Sequence, residues 1–253
     1  MRRVILAVAG LVLASASVSA QTPVSALGYR TVAPHQVFCT DQPVSTLPPT
    51  SLLVVGGHTT DGRASLATGD RLVIGGGSAA GISVGQRFAV RRIEGSLKEF
   101  PKKGQGFGAI RTAGVVTVTA VDADTAIARI EFSCDSIAPG DYLEPYVEPM
   151  LPSAASAMAA PQFSDRAKVM FGVDRRASLA DGDVVSIDRG TAQGVTTGAR
   201  FAIYRDHHDG LPLVEIGEAV VVEVLEDTSK VVLVSARDAI AEGDVAVPRR
   251  TAP

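Results

Sequence analysis

The chain has 253 residues, with 24 Lys and Arg against 27 Asp and Glu, a formal net charge of −3. The signs are scattered, tryptophan is absent, and Phe and Tyr number only 8 and 4. That argues against a phosphate-tracking surface and leaves little material for stacking on bases or sugars. Abundant Val, Gly and Thr with moderate charge instead suit short strands joined by tight turns.

Residues 1–20 carry Arg2-Arg3, then an apolar run over 4–13, then small residues with Val18 and Ala20 where a signal peptidase reads. This predicts a Sec-type signal peptide cut before Gln21, since the run is too short to span a bilayer. Arg2-Arg3 lacks twin-arginine surroundings, and no cysteine near the cut offers a lipid anchor. The chain is therefore expected to be exported, to the periplasm or by secretion, a choice that the signal itself leaves open. No later stretch is long and apolar enough for a transmembrane segment. The only cysteines, Cys39 and Cys134, would then lie in an oxidising compartment, where an even count favours one disulfide. The alternative is two buried thiols. The bond would pin the N-terminal arm onto the first half of the chain.

Residues 21–50 hold several prolines and end in Leu47-Pro48-Pro49-Thr50, which predicts an extended arm, anchored at Val37, Phe38 and Cys39. Residues 51–55 (SLLVV) form a first short strand, matched later by 168–171 (KVMF). Residues 63–92, RASLATGDRLVIGGGSAAGISVGQRFAVRR, then align without a gap to 176–205, RASLADGDVVSIDRGTAQGVTTGARFAIYR, with 16 of 30 positions identical. A period of this kind is the mark of an internal duplication. In each copy a Gly-Asp turn (Gly69-Asp70, Gly182-Asp183) leads into a strand. Turn glycines follow at Gly81 and Gly85, or Gly194 and Gly198. In the next strands Phe88 with Val90, and Phe201 with Ile203, point to one face at period two.

The copies then diverge. The first carries a Lys- and Gly-rich insertion within residues 95–111, and the second a short Asp206-His207-His208-Asp209-Gly210 turn. The register returns at Gly114 and Gly217, and each copy reads as a β-hairpin followed by Gly-Asp (Gly140-Asp141, Gly243-Asp244) and a closing strand. The predicted fold is all-β, two tandem homologous small β-barrels of about six strands each. The first spans 51–146 and the second 163–249, with a Pro/Ala linker at 147–162.

Candidate sites are few. The four Gly-Asp carboxylates fit turn capping better than calcium binding or acid–base work. The histidine pair at 207–208 has no companion ligands, and the glycine run at 75–77 lacks a phosphate-loop signature. No serine nucleophile motif occurs. Catalytic, cofactor-binding and metal residues are therefore expected to be none. The inserted loop, with Lys98, Phe100, Lys102, Lys103 and Phe107, is the best candidate for a partner contact.

The pattern of turn glycines, F-A-[VI]-[YR]-R, I-G-E-A-V-V-V, D-T-S and A-x-G-D resembles the β modules that follow LysM domains in proteobacterial envelope proteins. It is also similar to the C-terminal domain of the flagellar assembly protein FlgT. The resemblance runs through most of 52–248, with Arg91 in the first copy where the motif has tyrosine. It implies a periplasmic structural part; the chain carries no LysM sequence, so peptidoglycan binding is not carried over. The expected function is a non-enzymatic exported envelope protein, a structural or protein-binding module for envelope proteins, with no cofactor and no nucleic acid partner. The alternatives are a direct peptidoglycan or glycan binder and, less favoured, a cell-wall hydrolase.

Overall fold

The structure, a computed structural model, describes residues 32–44, 48–59, 62–97, 107–152, 159–172, 176–208 and 210–249; the side chains of 95–97 and 107 are outside that description. The chain is all-β with one short helix, α1 (Pro34–Cys39). The arm holds this helix and then a strand β1 (Gln42–Val44), so α1 interrupts the extended course that its prolines suggest. Pro34 sits at the start of the helix, where its missing N–H costs nothing, and the Gln36 side chain accepts a hydrogen bond from the Ala33 N–H at 2.8 Å.

The first β unit contains β2 (Val54–Gly57), β3 (Arg71–Ile74), β4 (Arg87–Leu97), β5 (Phe107–Val121), β6 (Ala126–Ser133) and β7 (Tyr142–Pro145). With β1 added on β5, they form a seven-stranded antiparallel sheet in the order β2-β3-β6-β5-β4-β7. The second unit contains β8 (Ala167–Gly172), β9 (Val184–Ile187), β10 (Arg200–Arg205), β11 (Val214–Val224), β12 (Ser229–Ala236) and β13 (Val245–Arg249). Its strand path is the same, β8-β9-β12-β11-β10-β13, and here β13 pairs with β8 to close a six-stranded barrel. In the first unit the two ends of the path meet at a bridge, Leu53 to Tyr142, flanked by backbone bonds from Val54 to Asp141, Gly140 to Val54 and Leu143 to Leu52, without the paired ladder that closes the second unit.

Each unit has its own interior. Leu66, Leu72, Ile74, Phe88, Val116, Ile130 and Ile137 centre the first, and Leu179, Ile187, Phe201, Ile203, Leu233 and Ile240 the second. A short 3-10 turn in each unit (Ser78–Ala80, Thr191–Gln193) lies against the tip of the neighbouring hairpin, with Ser78 and Thr191 donating backbone bonds to Asp122 and Leu225. No described helix is long and apolar enough to cross a membrane.

Candidate functional site

The arm lies between the outer faces of the two units. Val37 and Phe38 are neighbours on α1, so at 3.6 residues per turn their side chains diverge by roughly 100°. Val37, with Val32, packs on an apolar outer face of the second unit made by Val184, Val220, Val222, Val232 and Val234. Phe38 packs on Ala89 and Val115 of the first unit, edge-on to Phe132 at 5.8 Å and Tyr146 at 5.1 Å. The Arg91 guanidinium stands 4.8 Å over its ring. The Cys39–Cys134 disulfide forms as expected, tying α1 to the end of β6 across a sequence separation of 95.

Three side chains of the second unit donate hydrogen bonds to carbonyls of the arm: Lys230 Nζ to Val37 at 3.2 Å, Ser186 Oγ to Asp41 at 3.5 Å and Thr228 Oγ1 to Pro43 at 3.1 Å. Lys230 is fully buried and its ammonium also pairs with Glu223 at 3.1 Å. Burial pushes the Lys230 ammonium below the usual lysine range, Glu223 and Asp41 work in the opposite sense, and Arg91 adds to the lowering. Sequence reasoning missed this lysine, because a charge in a strand reads as a solvated position.

The second feature is a ribbon. β4 pairs with β7 only through Phe88 to Arg91, yet it continues against β5 to Leu97 opposite Phe107. β1 covers the other edge of β5, with Gln42, Pro43 and Val44 opposite Ile110, Ala109 and Gly108. The equivalent pair β10–β11 stops at Arg205 opposite Val214. Charged side chains fix the root of the ribbon. Arg111 reaches Glu94 at 3.2 Å, Asp135 at 3.2 Å and Asp41 at 3.6 Å. Arg92 holds Asp141 through two bonds of 2.7 and 2.9 Å and donates to the Ser136 carbonyl at 2.8 Å. Arg91 donates to Glu144 at 2.8 Å and also to the Thr112 hydroxyl.

Of the inserted-loop residues, Lys98, Phe100, Lys102 and Lys103 lie outside the described residues, as does the side chain of Phe107, whose backbone opens β5. The four Gly-Asp carboxylates all do the same work. Asp70, Asp141, Asp183 and Asp244 accept from the backbone N–H of Ala67, Ala138, Ala180 and Ala241, at 2.8 to 3.0 Å. Each also meets an arginine: Arg63 at 3.2 Å, Arg92 at 2.7 Å, Arg176 at 2.7 Å and Arg205 at 2.7 Å. Gly69, Gly182, Gly81, Gly194, Gly85 and Gly198 all hold positive φ at the turns. Asp206 caps its own loop, accepting from the His208 backbone N–H at 2.8 Å with His208 Nδ1 3.3 Å away, while Asp209 lies outside the described residues. Among the described residues, no group of three or more metal-capable side chains comes together. No protein-family model and no curated protein sequence matches the chain.

Proposed function

We propose that this is a non-catalytic exported envelope protein, a structural or protein-binding module built from two homologous units that arose by internal duplication. The observation that carries the reading is the ribbon of β4 and β5, with β1 on its edge and Arg92 and Arg111 fixing its root. A loop displayed on a rigid support of this kind suits recognition, because the support fixes where the loop is presented. The Gly-Asp carboxylates, each occupied by a backbone N–H and an arginine, fit turn stabilisation better than acid–base chemistry. The likeness to β modules of LysM-type envelope proteins and of FlgT adds the periplasmic setting.

The test removes residues 98–106 and joins Leu97 to Phe107 through Asn-Gly, a two-residue turn suited to a hairpin. In-envelope cross-linking is then compared with the unaltered protein. A discrete cross-linked envelope protein that vanishes on deletion, with no saturable pelleting of the purified chain on peptidoglycan sacculi, is the expected result. Saturable pelleting would replace the reading with direct wall binding.

A further inference from the structure

We propose that the Cys39–Cys134 bond is a thiol-sensitive latch. It holds α1 against the outer faces of the two units, and its reduction releases the helix while β1 stays on the edge of β5 and each unit keeps its own fold.

α1 has six residues, whereas isolated helices shorter than about 12–15 residues are marginal in water. Its order therefore depends on the two faces it touches and on its covalent tie. The arm is also the mediator between the units. Val37 and Val32 cover the outer face of the second, Phe38 covers the outer face of the first, and Lys230, Ser186 and Thr228 donate to arm carbonyls. Neither cysteine belongs to the interior cluster of the first unit; both sit beside Phe38 on its outer side. Breaking the bond thus leaves the interiors of both units as they are and removes the covalent tie of α1, while β1 keeps its pairing with β5. Cys39 and Cys134 are each partly exposed, so a small dithiol can reach them.

The chemistry is thiol–disulfide exchange. One thiolate of a dithiol attacks a cysteine sulfur and expels the other cysteine as a thiolate, which takes up a proton. The second thiolate of the reductant then displaces the first cysteine from the mixed disulfide. Two electrons pass to the protein, which ends with two thiols, and the reductant ends as its own disulfide.

The full chain, oxidised or reduced with dithiothreitol and with free thiols counted by mass, is exposed to an amine-acylating reagent and to deuterium exchange. In the oxidised protein Lys230 is expected to stay unlabelled and peptides over residues 32–40 to exchange slowly. Reduction is expected to raise Lys230 acylation and the exchange of 32–40 at least tenfold, with β6 and β12 amides still protected. The double variant Cys39→Ser, Cys134→Ser is expected to behave like reduced protein without any reductant; if it fails to fold, the reduced unaltered chain decides. Lys230 as inert after full reduction as before overturns the proposal. Loss of protection across β6 and β12 also overturns it, because the bond would then be needed for folding and not for docking.

Discussion

The Nζ of Lys230 lies 3.2 Å from the carbonyl oxygen of Val37, joining the last hairpin of the chain to its N-terminal arm. A buried ammonium is costly unless its partners are well placed. Here one partner, Glu223, is about a third exposed, and water can serve it when the lysine is gone. Lys230→Met keeps the length of the stem and is expected to change stability by less than about 1.5 kcal/mol. Lys230→Glu sets a carboxylate against Glu223 and the Val37 carbonyl and is expected to cost about 3–5 kcal/mol. Urea unfolding of the oxidised protein checks both. Equal losses in the two variants would mean that the position senses shape and not charge.

The same lysine and Tyr142 bend the pH dependence of stability in opposite directions. With its ammonium lowered by burial, the unfolded chain binds more protons than the native one between the lowered value and about 10.4. Stability therefore rises with pH across that window. The Tyr142 phenol is pushed up to about 12 by burial and by Glu144. It ionises near 10 in the unfolded chain, so its contribution is complete below about 10 and is lost as pH climbs toward the folded value. Burial moves Tyr146 and Tyr204 the same way. Melting temperatures from pH 8 to 12 are expected to rise and then fall. Lys230→Met should flatten the rise and Tyr142→Phe shrink the fall. The Tyr142 hydroxyl has no hydrogen-bond partner among the described residues, so Tyr142→Phe is also expected to add about 1 kcal/mol at neutral pH. An unchanged alkaline fall in that variant would refute the assignment.

Two glycines of the second unit, four residues apart, are needed for different reasons. A Cβ on Gly190 would sit 2.3 and 2.4 Å from the carbonyl oxygens of Leu225 and Glu226, at an ordinary extended φ of −139°. Gly194 has open space but a φ of +76°. Gly190→Ala must push the 3-10 turn off the hairpin tip and is expected to cost about 3 kcal/mol, the upper end of overpacking. Gly194→Ala meets only the left-handed penalty, about 1–2 kcal/mol. Chemical denaturation of the two variants should rank them in that order, and the reverse ranking would mean that the turn yields easily.

Much of this fold is legible in the residues. The Gly-Asp turns, the alternation in β6 and the paired cysteines all follow from local chemistry. The seam between the units was legible only as an anomaly. Val220-Val221-Val222 and Val231-Val232-Leu233-Val234 are continuous apolar runs, which mark strands buried on both faces, whereas β6 alternates. What covers the second face was out of reach. α1 offers only Val37 and Phe38 as buried residues, too short a span for a helical period. The bridging lysine sits in the same run as the valines, where its burial depends on an arm nearly 200 residues away. Closure was equally hidden: both units follow one strand path, and its two ends meet through a two-pair ladder in the barrel and through a single bridge with flanking backbone bonds in the first unit.

The recurring Arg-Asp pairs should differ in worth according to burial. Arg205 donates to both Asp244 oxygens, at 3.0 and 2.7 Å, and to the Ala239 carbonyl at 2.6 Å, while Asp244 also caps Ala241 at 2.8 Å. Arg63 meets Asp70 with longer bonds of 3.3 and 3.2 Å, and its side chain is about half exposed. Asp244→Ala removes a buried acceptor and strands the inward side of a guanidinium, and is expected to cost about 3 kcal/mol. For Asp70 and Arg63 the pair itself is worth at most about 1 kcal/mol, because water screens it. Double-mutant cycles separate the pair energy from the capping energy in each case: Arg205→Ala with Asp244→Ala, and Arg63→Ala with Asp70→Ala. The expected coupling is about 1–3 kcal/mol for the first pair and under about 0.5 kcal/mol for the second. A coupling near zero for Arg205 with Asp244 would show that the carboxylate acts chiefly through its backbone bond to Ala241.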